Sequence, residues 1–183
     1  MPGRMFENRR ELIFFIARIA VPVVIFVIFL RYIVCITTVA SGSMEPKLKV
    51  GNMAAYNRLA YKKHEPERGD IVIFWSDEMN EHMAKRIIGI PGDEIKFIDG
   101  YVFINGQRAD ESEYIEESIE TNCAEIFTVP ENSVFVMGDN REYSFDSRFF
   151  DQPYINYKDI EGKYIGQSTF NPKWIIESRF IKK

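Results

Sequence analysis

An apolar segment near the N-terminus limits what this chain can fold into more than any other feature. Between Leu12 and Leu30, fifteen residues are Leu, Ile, Val or Phe. The residues that interrupt them are Ala17, Arg18, Ala20 and Pro22. At about 1.5 Å per residue, a helix of this length matches the hydrocarbon thickness of a bilayer. The apolar residues contribute roughly −7 kcal/mol to insertion, against about +3 kcal/mol for a central arginine. We therefore predict a membrane-spanning helix, assigned to residues 12–36.

The charges around this segment predict its orientation. Arg4, Arg9 and Arg10 precede it, which favours a cytoplasmic N-terminus of residues 1–11 and an extracytoplasmic domain of residues 37–183. A cleaved signal peptide is the alternative, because Thr38-Val39-Ala40 offers small residues at a suitable place for cleavage. The apolar run exceeds the roughly 7–15 residues of a signal-peptide core, which favours an uncleaved anchor. Self-cleavage after Ala40 is a further alternative.

Composition limits the classes of partner and cofactor. Beyond residue 36 the chain has 18 basic and 25 acidic residues, and this net charge of about −7 argues against a nucleic-acid partner. Cys35 and Cys123 lack the spacing of a zinc site or a disulfide framework. His64 and His82 are too far apart to build a metal site by themselves. We expect no metal and no other cofactor.

Short apolar runs separated by turn signals predict a mostly antiparallel β domain with little helix. Asp99-Gly100 and Asn105-Gly106 are typical of tight hairpin turns. The segment Gln107–Thr128 is crowded with acidic residues, and we interpret it as a solvated excursion or a small subdomain. The predicted strands are 52–56, 70–75, 84–90, 94–98, 101–104 and 133–137.

Two motifs bear residues suited to nucleophilic catalysis. Ser41-Gly42-Ser43-Met44-Glu45-Pro46 follows the apolar segment, and Lys85 lies in the later strand. A serine hydroxyl needs a base, and lysine can be that base only if desolvation lowers its pKa from about 10.4 toward 8. On a strand, Lys85 shares a face with Met83 and Ile87, while Arg86 points to the other face.

A third motif follows the last predicted strand. Its residues are Met137-Gly138-Asp139-Asn140-Arg141, continuing into Ser144-Phe145-Asp146-Ser147-Arg148. The acidic residues suggest a calcium loop, but Arg141 and Tyr143 occupy positions where such a loop places oxygen ligands.

These motifs, with Arg68-Gly69-Asp70-Ile71-Val72-Ile73-Phe74 and the run from Lys85 to Asp93, occur in the order found in bacterial type I signal peptidases. The chain resembles that family of Ser-Lys enzymes, and in particular the smaller single-anchor form typical of Gram-positive bacteria. The resemblance implies a membrane-bound serine endopeptidase that removes signal peptides from exported preproteins after small residues. It also implies coiled antiparallel β-sheets with a small β insertion at about residues 94–130.

The resemblance assigns roles to particular residues. Ser43 is the expected nucleophile and Lys85 the general base, with the Ser43 amide and the Ser41 hydroxyl as the oxyanion hole. Ser144 is expected to orient Lys85. The expected supporting residues are Asp146 with Arg148, and Arg86 with Asp139. The substrate is expected to lie along Glu81, His82, Met83 and Ala84.

Departures and rival interpretations accompany this resemblance. Lys47, Asn52 and Asp151 stand where the family commonly has Thr, Asp and Gly, and the tail from Gly162 to Lys183 matches only loosely. A self-cleaving repressor-type Ser-Lys peptidase would have a DNA-binding module in place of the anchor. An inactive homologue that binds export substrates at the membrane is a further alternative, although the chain retains Ser43 and Lys85.

Overall fold

The structure is a computed structural model and describes residues 9–115 and 119–168. One α-helix, α1 (Arg9–Tyr32), precedes the strands. Two short 3-10 helices span Ala60–Lys62 and Tyr157–Asp159. The strands are β1 Val34–Thr38, β2 Met53–Asn57, β3 Ile71–Ser76, β4 Glu81–Gly89, β5 Glu94–Ile98, β6 Tyr101–Ile104, β7 Gln107–Arg108, β8 Phe127–Thr128, β9 Ser133–Met137, β10 Tyr154–Asn156 and β11 Ile160–Ser168.

The strands form two antiparallel sheets. Seven strands follow the order β1-β2-β11-β3-β4-β9-β10, and four follow the order β7-β6-β5-β8. The smaller sheet comes from residues 94–128, between β4 and β9 of the larger one. The prediction of a mostly β domain with a small β insertion after one N-terminal apolar helix is therefore confirmed.

Helix α1 has the composition of a membrane span. The most apolar 18-residue window within Arg9–Phe29 has a mean hydropathy of 2.9, and none of it is buried against the rest of the protein. An apolar core helix would bury one face, whereas here Phe14 and Ile25 are exposed like their neighbours. The length and composition of α1 therefore fit a helix surrounded by lipid.

The ends of α1 differ from the predicted span of residues 12–36. The helix begins at Arg9 and ends at Tyr32, and Val34–Thr38 is instead a strand paired with β2. Five of the six residues from Ile33 to Thr38 are Ile, Val or Thr, with Cys35 the exception, and β-branched residues favour strands. The chain therefore passes from helix to sheet within two residues.

Apolar clusters hold the strands that carry the site. The run Ile71–Phe74 of β3 is buried throughout, which is typical of a strand covered on both faces. On one face, Val72 and Phe74 pack with Met83 and Ile87 of β4. A separate cluster contains Met44, Leu48 and Ile71, so the segment after β1 is packed against the sheet. Strand β4 thus packs through Met83 and Ile87 against the buried residues of β3.

Strand β11 was not predicted, although it lies between β2 and β3 in the larger sheet. A Cβ on Gly162 would come within 2.5 Å of the Asn57 carbonyl oxygen, so only glycine allows this approach of β11 to β2. The pairing with β2 also shifts register between Tyr164 and Gly166. The part of the loosely matched tail that lies within the described residues is therefore a central strand, and residues 169–183 lie outside them.

Candidate active site

Lys85 lies in β4 opposite Val72 of β3 and is only 1% exposed. Met83 and Ile87 on the same face are also buried, as the strand alternation predicts. Its Nζ donates a hydrogen bond to Ser144 Oγ at 3.0 Å. Within residues 9–115 and 119–168, Lys85 makes no ion pair with a carboxylate.

The surroundings of Lys85 favour its uncharged form. Burial is the main cause and lowers the pKa of Lys85 to about 8, the Asp146 carboxylate opposes this, and the Arg148 guanidinium adds to it. A lysine with this pKa supplies free amine in neutral to mildly alkaline solution, which an exposed lysine does not. Lys85 therefore has the protonation behaviour of a general base.

The buried side chain of Met44 fixes the position of Ser43. Met44 is 1% exposed and packs with Leu48 and Ile71, so the residue just before it lies at the rim of the core. The Ser43 hydroxyl is 3.3 Å from the Ser41 hydroxyl. The Ser43 carbonyl oxygen accepts a hydrogen bond from the main-chain N–H of Asn140 at 3.1 Å. In the described part of the chain, the Ser43 hydroxyl is hydrogen-bonded to Ser41 and not to Lys85.

Gly138 lets the two serine-bearing segments meet. A Cβ at this position would come within 2.2 Å of Ser144 Oγ and within 2.3 Å of the Ser43 carbonyl oxygen. A side chain would therefore separate the backbone of Ser43 from the hydroxyl bonded to Lys85. Glycine at position 138 is a steric requirement of this site.

Two buried ion pairs support the loop that follows β9. Asp146 binds the Arg148 guanidinium through both carboxylate oxygens, at 2.8 and 3.0 Å, and also accepts a hydrogen bond from the Gly138 amide at 2.9 Å. Arg86 binds Asp139 through two hydrogen bonds of 2.7 Å each. The structure thus pairs Asp146 with Arg148 and Arg86 with Asp139, and places Ser144 in hydrogen-bond contact with Lys85.

A third buried guanidinium was missed by the sequence analysis. Arg141 Nε donates to the Gly138 carbonyl oxygen at 3.0 Å, and its Nη1 donates to Thr121 Oγ1 at 2.9 Å and to Glu111 at 3.1 Å. Of the two interpretations of Gln107–Thr128, a solvated excursion or a small subdomain, the contacts of Glu111 and Thr121 favour the small subdomain. No local pattern could identify Glu111, because it is one of many acidic residues there and lies 30 positions from its partner.

A small cavity joins the candidate catalytic groups to the expected substrate strand. Its volume is about 100 Å³, and Ser41, Ser43, Lys85 and the four residues Glu81–Ala84 line it. Residues Glu81–Gly89 pair with β3 from Glu81 onward, but their pairing with β9 begins only at Arg86. Within the described parts of the chain, β4 before Arg86 therefore has no strand partner on its second edge, which lies beside the cavity.

His82 and Glu81 occupy less enclosed positions than the rest of this strand. The His82 ring contacts Trp75 edge-on at 4.8 Å, and its Nδ1 lies 3.3 Å from a Glu161 carboxylate oxygen. Met83 is instead buried at 8% exposure, with its side chain in the apolar cluster. The four expected substrate residues thus share the strand edge but differ in what their side chains can contact.

The three departures from the family pattern lie away from the reacting groups. The Lys47 carbonyl oxygen accepts a hydrogen bond from Gln167 Nε2, and Asn52 Nδ2 donates to Gln167 Oε1. One residue of β11 therefore holds both ends of the loop that follows Ser43. The Asp151 amide donates to the Glu78 carboxylate at 3.2 Å.

Comparison with known proteins identifies the family. Residues 12–167 match the family described as "Signal peptidase, peptidase S26". Signal peptidase IB of Staphylococcus aureus strain Mu50 is 33% identical over 159 residues, which cover 78% of this chain and 82% of that protein. The chain therefore belongs to the signal peptidase S26 family, as its motifs indicate.

Further relatives are similar over shorter stretches. A probable signal peptidase I-2 of Synechocystis sp. is 35% identical over 118 residues, covering 61% of this chain and 53% of that protein. A crystal structure of signal peptidase I from Enterococcus faecalis V583 is 31% identical and aligns with a TM-score of 0.45, covering 55% of this chain and 97% of that chain.

Burial of Lys85 predicts a stability cost that can be measured. Below about pH 8 the amine is charged in the folded and the unfolded chain, so folding bears the full cost of desolvation. We expect Lys85→Met to raise the free energy of unfolding by about 1–3 kcal/mol at pH 7. The gain should shrink as the pH rises from about 8 toward 10.5, where the unfolded chain also loses the proton. Denaturant unfolding across this pH range, with exposed Lys158→Met as control, tests this.

The Glu111–Arg141 pair predicts a second stability effect. Arg141 has a side chain only 1% exposed, so Glu111→Gln leaves a buried guanidinium without its counter-charge. We expect a loss of about 2–4 kcal/mol in the free energy of unfolding. The exposed Glu125→Gln should change it by less than about 0.5 kcal/mol. Equal stability of the two variants would show that Glu111 contributes nothing to holding Arg141.

Proposed function

We propose that this chain is a membrane-anchored serine endopeptidase that removes signal peptides from exported preproteins, with Ser43 as nucleophile and Lys85 as general base. One observation carries the assignment of the base. Lys85 is buried, its amine bonds a neutral hydroxyl, and the expected supporting carboxylate, Asp146, is already bound by Arg148 and the Gly138 amide. A lysine kept for structure alone would be paired with a carboxylate or reach solvent.

Acylation begins when the Ser43 hydroxyl turns from Ser41 toward Lys85. Its oxygen attacks the scissile carbonyl carbon while Lys85 Nζ takes the hydroxyl proton. The Ser43 amide and the Ser41 hydroxyl donate to the negative charge that forms on the carbonyl oxygen. The Ser43 amide donates no other hydrogen bond within the described residues, so it is available for this role.

Breakdown of the tetrahedral intermediate completes the first half of the reaction. The carbon–nitrogen bond breaks, and the Lys85 ammonium returns its proton to the leaving amine. Water then attacks the acyl carbon, with Lys85 taking one of its protons. The bond to Ser43 breaks, and that proton passes to the Ser43 oxygen, so the enzyme regains its starting form.

The cavity supports a preference for small residues before the cleaved bond. At about 100 Å³ it accepts methyl-sized side chains, and apolar residues such as Met44, Leu48 and Ile73 line it. An extended substrate adds to the free edge at Glu81–Ala84 through main-chain hydrogen bonds, which places alternate side chains toward the cavity. The acidic balance of the domain argues against nucleic acid as a partner.

The anchor places this site at a membrane surface. Helix α1 crosses the bilayer once, with Arg9 and Arg10 on the cytoplasmic side and the β domain on the extracytoplasmic side. Because β1 starts two residues after α1, the catalytic domain stays close to the lipid, where a translocated signal peptide ends. The tether therefore raises the local concentration of the site around its substrate.

Removing either reacting group should abolish cleavage. We expect Ser43→Ala and Lys85→Ala to lower kcat/KM for a preprotein by at least about 10³-fold in the detergent-solubilised full chain. Lys85→Arg should be equally inactive, because guanidinium does not lose its proton near neutral pH. The exposed residues Ser112→Ala and Lys63→Arg serve as matched controls.

Two results would contradict this proposal in different ways. A folded wild-type chain that binds preprotein without cutting it would support the inactive binder instead. Cleavage that survives Ser43→Ala or Lys85→Ala would exclude the assigned pair while leaving a peptidase.

The pH dependence should follow the amine of Lys85. Its pKa of about 8 means that kcat/KM rises about tenfold per pH unit in acid and levels off above about pH 8, because only the unprotonated amine accepts the serine proton. Initial rates on a peptide substrate from pH 5.5 to 10 measure this profile. A midpoint that moves in His82→Gln would assign the titration to the histidine beside the cavity.

A further inference from the structure

Asn140, in the loop after β9, contacts the backbone of the segment that carries Ser43. Its side-chain Nδ2 donates to the Gly42 carbonyl oxygen at 3.1 Å, across 98 positions of sequence. Its main-chain amide donates to the Ser43 carbonyl oxygen, also at 3.1 Å. Two successive carbonyl groups beside the candidate nucleophile are therefore held by one residue from a distant part of the chain.

The bond to the Gly42 carbonyl has a consequence for the neighbouring amide. The Gly42 carbonyl and the Ser43 N–H belong to one peptide group. This peptide bond is trans, since the cis bond among the described residues is Glu45-Pro46. In a planar trans peptide these two groups point in opposite directions. A partner that fixes the carbonyl therefore also fixes the direction of the N–H that is proposed to bind the oxyanion.

A local contact alone gives less control over this peptide group. The Glu45 amide also donates to the Gly42 carbonyl oxygen at 3.1 Å, but Glu45 belongs to the same turn and moves with it. Asn140 follows Asp139, which is bound twice by buried Arg86, and precedes Arg141, which is bound to the Gly138 carbonyl. Asn140 thus ties the turn to a loop that is fixed on both sides.

The chemistry at this position requires a side chain that donates a hydrogen bond. The acceptor is a carbonyl oxygen, so the contacting group must be a donor, and the Asn140 NH₂ group supplies one at short reach. An aspartate of the same size would face the Gly42 oxygen with a negatively charged oxygen. An alanine would leave the Glu45 amide as the remaining described donor to that carbonyl.

We propose that Asn140 is a positioning residue for the reaction, whose side chain orients the Ser43 N–H toward the charge that develops in the transition state. This inference rests on the proposed function. Asn140 touches neither the substrate nor the proton that moves, so its effect is on the stabilisation of the transition state. Replacing Asn140 by alanine should therefore leave the substrate affinity and the titration of Lys85 unchanged.

The test separates binding from catalysis in the full-length, detergent-solubilised chain. We expect Asn140→Ala to lower kcat for a peptide substrate about 10- to 100-fold, which is less than the loss of a whole oxyanion donor causes. The isosteric Asn140→Asp should lower kcat further, because its carboxylate faces the Gly42 oxygen. In the Ser43→Ala background, which keeps the residue-43 amide, Asn140→Ala should change the Kd of the uncut peptide less than twofold. The pH midpoint should not move. Asn52→Ala, which removes an amide that binds Gln167 at the end of the loop following Ser43, is the matched control.

A double-mutant cycle with Ser41→Ala adds a second readout. If Asn140 acts through the oxyanion hole, its effect on kcat should be clearly smaller when the Ser41 donor is already absent, because both act on the same charge. Additive effects of the two substitutions would count against the inference. Parallel losses of kcat and of peptide affinity in both Asn140 variants would make its role merely structural and overturn it.

Failure of the inference is distinguishable from failure of the proposed function. Wild-type cleavage with Asn140→Ala and Asn140→Asp within threefold of it would overturn the positioning role alone. Absence of cleavage by the folded wild type would overturn the proposed function and, with it, this inference.

Discussion

Among the residues that the structure describes, Lys85 is a buried amine without a carboxylate partner, and the rest of this site depends on that constraint. Lys85 is nearly inaccessible, and its Nζ hydrogen-bonds the neutral Ser144 hydroxyl. A free carboxylate at that place would favour the charged form of the lysine, which cannot accept a proton. The fold avoids this by committing its buried acids to arginines, with Asp146 bound to Arg148 and Asp139 bound to Arg86.

These ion pairs also build the geometry around the lysine. Each buried arginine bonds a backbone carbonyl as well as an acid: Arg86 reaches Gly69, Arg141 reaches Gly138, and Arg148 reaches Arg141. Planar guanidinium groups can make these bonds in fixed directions, which lysine could not. The loop after β9 is thereby fixed although it contains no strand between Gly138 and Arg148. Its Ser144 therefore keeps the hydrogen bond with Lys85.

The sequence could predict those parts of the structure that follow from local patterns. Alternating apolar runs predicted β5, β6 and β9 with their observed bounds. The Asp99-Gly100 and Asn105-Gly106 turns have positive φ at both residues, as tight hairpins require. Family membership followed from the order of the motifs and is confirmed by the match over residues 12–167. The roles of Ser43 and Lys85 stay predictions.

What could not be predicted depends on contacts between distant segments. Strand β11 contains two glycines and few large apolar residues, so its central place is evident only from its close approach to β2. Glu111 differs from the other acids around it only by reaching Arg141. The end of α1 at Tyr32 reflects pairing of the following residues with β2, a tertiary effect that overrides apolar composition.

The serine and the lysine come together through a third segment. They lie on separate parts of the chain, and Gly138–Arg148 contacts both of them: Asn140 holds the Ser43 carbonyl, and Ser144 accepts from Lys85. Gly138 lets these contacts lie side by side, because any Cβ there would collide with both serines. A substitution in this loop can therefore displace Ser43 and Lys85 relative to each other without touching either. This explains why one loop needs a glycine, an amide, a hydroxyl and two buried arginines within eleven residues.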